Sequence, residues 1–562
     1  MLAGFKKHSL TFIFSIFISF LAVPLQGAII VVHPGMSIQN AINSASDGDT
    51  IQLLPGSYMP ANNLLIGSTN APNNLTINGS GMSGPNATTI VCPAFADVIH
   101  FFTSTVPGIP GTYYPVIMID GLTNITISNL IVDGANQGDA GHPTKLFQGI
   151  AYHNASGTVE YIYCINVTDA SFPMPGSQDG TCVIGIVDNL SSYILNVNNC
   201  YLTEYQKNAI EMQGTGLRGI ISNNQVVGPT QESYSDENGI IVWYGAAADI
   251  SNNSITNLFS GNVPHPSTAL GIGISNAGPN TTVTNNTVFN NDLGIYANNA
   301  GDGLVVSNNT VYNNGLINSS GGGIQILDTA GLTTIENNVM TNNNPSNMNL
   351  GEDSSGANNP FHLANNQFNG SPIGLLVNGY EPTGGPNIGP VITMNGDSFV
   401  GSTQYYIKEV AAPNDIWPST ATVHFDGLIS GQITFAQYEQ IRTKILDKLS
   451  PVFNPNLGLV LDYLVLAPPP VTNFTGVIVK KNEFLNVTEY FLSSQWSPSP
   501  AFNVTFYRIY EKGRLIDEVA AGSPLIFKTC STSKQHLKSL QISAVNSSNL
   551  ESSRVKIRIT NE

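Results

Sequence analysis

Between His8 and Ile433 the chain has only four basic side chains, Lys145, Lys207, Arg218 and Lys408, against 27 acids, a net of −23. The C-terminal remainder reverses sign, with 14 bases against ten acids. A body this acidic repels nucleic acid and anionic lipid at long range, so nucleic-acid partners are excluded. The shortage of bases also disfavours elimination on uronates, which needs the substrate carboxylate neutralised and a base poised over its acidic carbon. Only Lys207 and Arg218 lie close together in the repeat numbering. Long hydrophobic runs are scarce as well. The apolar run Leu10 to Leu21, behind Lys6 and Lys7 and ahead of Gly27 and Ala28, reads as a signal peptide over residues 1–28. It is too short for a membrane span and none follows, so the sequence predicts an exported protein, secreted or at the cell surface. Five cysteines are too few and too scattered for a disulfide scaffold, and no pair has metal-ligand spacing. Cys164 and Cys200 read as core filling, and Cys530 stands alone.

What the chain has in abundance is one recurring phrase. It reads Ile221-Ser-Asn-Asn224, Ile250-Ser-Asn-Asn253, Val283-Thr-Asn-Asn286, Val306-Ser-Asn-Asn309 and Ile335-Glu-Asn-Asn338. Asn129, Asn199 and Asn366 stand in the same context, with Cys164 filling the slot between the first two. A short β-type run precedes each copy after a glycine: Gly239-Ile-Ile-Val, Gly271-Ile-Gly-Ile, Gly294-Ile-Tyr-Ala, Gly323-Ile-Gln-Ile. One such turn cannot cover its own apolar face. Coils stacked about 4.8 Å apart do so together, as parallel sheets around a continuous core. Asparagine suits the repeated turn because its amide both donates and accepts, so rungs bond to the rungs above and below.

The repeat resembles the right-handed parallel β-helix of the pectate-lyase-like superfamily, over residues 29–466. The resemblance implies an all-β solenoid with short capping helices. One cap is the segment Ser37 to Ala45, with Ser37 as N-cap; the other is residues 434–448, where Phe435, Tyr438, Ile441, Ile445 and Leu449 share a helical face. Pro468-Pro-Pro470 marks a linker over 467–471. Residues 472–562 then read as a β-sandwich that resembles a fibronectin type III domain, with Trp496 as its core tryptophan and Leu540 where that family often has tyrosine.

In that superfamily the outer face of one sheet holds the functional groove. Aligning the glycine-led strands places Glu211, Ile241, Gly273, Tyr296 and Gln325 in one outward column. Gln213, Trp243, Ser275, Asn298 and Leu327 form the next. Trp243 and Tyr296 are candidates for stacking on sugars. Gln213, Asn298, Gln325, Lys207 and Arg218 are candidate polar contacts. Glu211, with Glu237 and Asp236 on the adjacent coil, is the candidate carboxylate pair for hydrolysis, which requires two acids flanking the bond. The same acids are alternatively solubilising, or hold a structural Ca²⁺; no other cofactor is implied. His142, His153 and His265 read as loop or turn residues with no partner at ligand spacing. No aspartate-rich Ca²⁺ phrase, Asp-Asp, Gly-His-Gly or Asp-Pro-His-Glu motif is present. The leading expectation is a monomer that binds a polysaccharide or another extracellular ligand; the alternative is a polysaccharide hydrolase or, behind it, a lyase.

Overall fold

The computed structural model describes residues 27–107, 111–139, 145–169, 180–228, 237–260, 268–316, 321–351, 360–378, 391–410, 422–425, 467–484, 487–500, 504–546 and 549–561. Residues 1–26 of the signal peptide expected over 1–28, and the helix expected at 434–448, lie outside these residues. From Ile29–Val32 to Thr422–Phe425, strands pair in parallel into one sheet of 24 strands and one of 12, to which Phe102–Ser104 adds a thirteenth, antiparallel strand. A typical coil gives Asn238–Trp243 to the smaller sheet, then Ala247–Ser251 and Ser254–Thr256 to the larger. This is a parallel β-helix. Its core is continuous from Val32 to Ile407. The helix Ile38–Ser44 lies at its N-terminal end, capped by the Ser37 hydroxyl, which accepts from the Asn40 amide at 3.2 Å, and buries Ile38, Ala41 and Ile42.

The two asparagines of each phrase do different work. The first, at Asn223, Asn252, Asn285, Asn308, Asn337 and Asn365, takes the left-handed backbone (φ 56–58°) that bends the larger sheet. The second points inward. Its carboxamide oxygen accepts the backbone and side-chain N–H groups of the rung before, and its own side-chain N–H reaches a strand carbonyl. Asn309 thus accepts from Asn286 N at 2.9 Å and Nδ2 at 3.1 Å, and donates to Val283 O and Asn338 Oδ1 at 2.9 and 3.0 Å. The column runs through Asn224, Asn253, Asn286, Asn309, Asn338 and Asn366 and ends on Asp397.

Three expectations are corrected here. Asn199 sits at the left-handed bend (φ 54°), and the slot itself holds Cys200, whose amide donates to Asn224 Oδ1 at 3.0 Å. Asn129 is likewise a bend residue (φ 56°), opposite Tyr161 in the next coil. Cys164 pairs with Leu202, two positions beyond the slot. A second inward column, through Asn291, Asn314, Asn343 and Asn347, lines the corner before the smaller sheet. At that corner the repeated glycine is a matter of space. A Cβ on Gly271 would lie 2.4 Å from the Gly294 carbonyl, and one on Gly294 2.5 Å from that of Gly323.

Two four-stranded sheets follow the solenoid and fit a β-sandwich. One orders Ile526–Ser531, Val487–Ser497, Thr472–Phe484 and Arg558–Asn561; the other Arg514–Ala520, Val504–Glu511, Leu540–Asn546 and Val555–Lys556. Trp496 is buried in a core of its own, edge-on to Phe474 and Tyr507.

Candidate functional site

Side chains alternate across a strand, so every second residue of the smaller sheet faces outward. The register aligns Glu211 with Ile241, Gly273, Tyr296 and Gln325, and Gln213 with Trp243, Ser275, Asn298 and Leu327. The columns extend in both directions. Toward the N-terminus they pass through Ile184, Ala151 and Met118, and through Ile186, His153 and Asp120. Toward the C-terminus they reach Asn349 and Leu376, and Gly351 and Asn378.

Glu211 is buried under this face. Its carboxylate accepts from Trp243 Nε1 at 2.9 Å, Asn208 Nδ2 at 2.7 Å, Thr181 Oγ1 at 3.4 Å and the Gln213 amide. Burial pushes its pKa up, and the bonds from Gln213, Asn208 and Trp243, with the charge of Lys207, offset part of the rise. Gln213 is engaged in turn by the Tyr113 phenol at 3.4 Å. A carboxylate with four donors on two oxygens is a structural brace and holds the indole edge of Trp243. Glu237 lies buried just before Asn238–Trp243, beside Tyr205, whose ionisation its charge disfavours. Asp236 lies outside the described residues. Arg218 is a correction: it belongs to Leu217–Ser222 of the larger sheet, where it grips Asp249 through Nε and Nη2 at 3.0 and 2.5 Å. It is no part of this face.

His153 is a second correction. It ends the strand Lys145–His153, with Nδ1 on Asp120 Oδ1 at 2.8 Å and Nε2 on Asp188 Oδ1 at 3.2 Å. The pair of aspartates does not make a hydrolytic couple, because the imidazole fills the space between them that a glycosidic oxygen would need. His142 and His265 lie outside the described residues. Among the described residues no three His, Cys, Asp or Glu side chains converge to hold a metal ion.

The face has two halves. Over the strands Gly111–Asp120, Lys145–His153 and Thr181–Ile186 an arm, Phe102–Ser104 and its continuation to Val106, covers Met118, Ala151, Ile184 and Ile186. From Trp243 onward the described outward positions hold no charge up to Lys408. Trp243, Ser275, Tyr296, Asn298, Gln325 and Asn378 are all half-buried.

Residues 185–381 match the family model described as a right handed beta helix region. No curated protein sequence matches the chain. Among solved structures, the mannuronan C-5 epimerase A-module of Azotobacter vinelandii aligns at 13% identity and TM-score 0.41, over 67% of this chain and 93% of that one. The catalytic domain of a GH87 alpha-1,3-glucanase aligns at 17% and 0.40 over 70% of each. The Dettilon tailspike protein aligns at 13% and 0.39, over 89% and 93%. Stacked parallel strands and the matched repeat together make the solenoid a right-handed parallel β-helix.

Proposed function

We propose that the protein binds an uncharged polysaccharide lengthwise along the open half of the smaller sheet. The observation that carries this is the run of outward columns from Trp243 to Asn378, which offers an indole, a phenol and carboxamides but no charge. Carboxamides give and receive hydrogen bonds from sugar hydroxyls, and the aromatic faces stack on the apolar side of a sugar ring. A uronate chain would bring carboxylates to a stretch whose described outward positions, from Trp243 to Asn378, hold no cation to meet them, on a body that is already acidic. What favours binding over hydrolysis is that Glu211 is saturated with donors and that His153 separates Asp120 from Asp188. In this reading residues 1–28 direct export, and the C-terminal sandwich, with Trp496 as in fibronectin type III domains, anchors the solenoid at the cell surface.

Calorimetric titration against neutral and uronate polysaccharides tests it. Binding is expected for a neutral glycan, weakened at least about tenfold, about 1.4 kcal/mol, in Trp243→Ala and Tyr296→Ala. No release of reducing ends is expected. Equal binding by both variants, or preference for uronates, overturns the reading.

A further inference from the structure

The first coil holds a buried acid with no charge of opposite sign beside it. Asp49 lies just ahead of the strand Thr50–Leu53 and is 6% exposed. Each of its carboxylate oxygens takes one backbone amide: Oδ1 accepts from Ala28 at 2.7 Å and Oδ2 from Ser46 at 2.8 Å. Among the described residues no ion pair includes it. Buried carboxylates are ordinarily matched by a cation, because neutral hydrogen bonds offset only part of the cost of taking the charge out of water.

Ala28 stands where such a cation can arise. It is the last residue of the signal peptide expected over 1–28, yet the fold uses it on both sides. Its N–H serves Asp49, and its carbonyl accepts the Thr50 amide at 2.9 Å, ahead of the first paired residues Ile29 and Thr50 of the larger sheet. A chain that began at Ile29 would lose both bonds and leave Asp49 with a single donor. Gly27 differs: the uncut chain runs so close to the next turn there that a Cβ would lie 1.8 Å from the Gly48 carbonyl oxygen.

We propose that the signal peptide is cut between Gly27 and Ala28, and that the α-ammonium group so created is the partner of Asp49. The inference rests on the export reading above and moves the end of the signal peptide back by one residue. Water hydrolyses the Gly27–Ala28 peptide bond; the new carboxylate leaves with Gly27, and the new amine takes up a proton and stays with Ala28. Gly27 meets the need for a small residue before the cut. One amide N–H is replaced by three ammonium N–H groups and a full positive charge, so the contact with Asp49 becomes charge-assisted. The attraction exists only after cleavage, so the first coil closes more firmly on the processed chain than on the uncut one.

Mass-spectrometric sequencing of the chain recovered outside the cells that make it reads the cut, and Ala28 is expected as its first residue. An acylating reagent then reads the pair on the same protein, since only the unprotonated amine reacts. At about pH 7 the α-amine is expected to react roughly tenfold more slowly than that of a free peptide of residues 28–33, because the adjacent carboxylate holds the proton on it. Ala28 is itself exposed, so access does not limit the reaction. Asp49→Asn keeps one acceptor oxygen, removes the charge and should restore most of the rate; the peptide comparison decides if that variant does not fold. A first residue other than Ala28, Ile29 included, overturns the proposal and leaves export standing. An amine as reactive as the peptide's overturns it as well. A recovered chain that keeps residues 1–26 overturns it together with the export reading. Glycan binding at the open half is tested separately by the Trp243 and Tyr296 variants.

Discussion

At the scale of single residues, buried amides and one buried carboxylate decide most. Removing the Asn309 side chain would take the acceptor from two N–H groups of Asn286 and a donor from the Val283 carbonyl, and would leave the Asn338 carboxamide oxygen with only the Asn309 backbone N–H, all inside the coil. Asn309→Ala is therefore expected to cost about 3 kcal/mol, more than one net hydrogen bond, since each buried group left unpaired costs about 1–3 kcal/mol. Urea denaturation followed by circular dichroism measures it. Glu211 gives a pH signature. Its raised pKa means the folded chain holds that proton more tightly than the unfolded one. Between the two pKa values the folded state binds more protons, so this group's contribution to stability falls as pH rises through the window above the ordinary glutamate value. Glu211→Gln should lose that part of the slope in melting temperature between about pH 4 and about pH 7; an unchanged slope would show that the carboxylate does not titrate with folding.

At the scale of the element, the strand and its corner, the repeat was legible because one residue type returns to one slot. The split between bend and ladder asparagine was legible only where both are asparagine. Where Leu130 or Cys200 takes the second place of the pair, the phrase alone misplaces Asn129 and Asn199 by one residue. The second ladder was written in plain view as Asn290-Asn291, Asn313-Asn314 and Asn342-Asn343, five residues after the first. The His153 cluster was harder to see. Aligning Ile119-Asp120 with Tyr152-His153 puts the two on adjacent strands. Asp188 lies beyond its strand, though, and Phe102 arrives from an arm that no periodicity predicts. Glu211 was found by its column, but its four donors come from three strands, which spacing does not reveal. The corner glycines yield a prediction at this scale. Gly271→Ala must push apart two coils whose backbones approach within a carbonyl's reach, so it is expected to destabilise by about 1–3 kcal/mol, the cost of overpacking. Its thermal midpoint relative to wild type measures the effect.

At the scale of the molecule, two buried clusters share no member, one filling the solenoid and one around Trp496. Separate cores melt separately, and scanning calorimetry is expected to resolve two transitions, with the smaller removed by truncation at residue 467. Charge acts on one of them. The segment from His8 to Ile433 carries a net of −23 and repels itself, so raising NaCl from about 0.01 M to about 0.15 M, which shortens the screening length from about 30 Å to about 8 Å, should raise the solenoid's transition. The transition of the sandwich, with charges of both signs, should move less. A solenoid midpoint indifferent to salt would mean that its acids are spaced too widely to feel one another.

The inner column of asparagines has a direction. Every rung hands its hydrogens toward the C-terminus, and the last asparagine, Asn366, hands its own to Asp397, an acid that lacks the carboxamide N–H of the rungs before it. A duplicated coil slipped in anywhere between Asn224 and Asn366 would inherit a giver on one side and a taker on the other. The same coil grafted beyond Asp397 would meet a rung without the carboxamide N–H that every earlier rung extends, so gene duplication can lengthen this molecule from its middle more readily than from its far end.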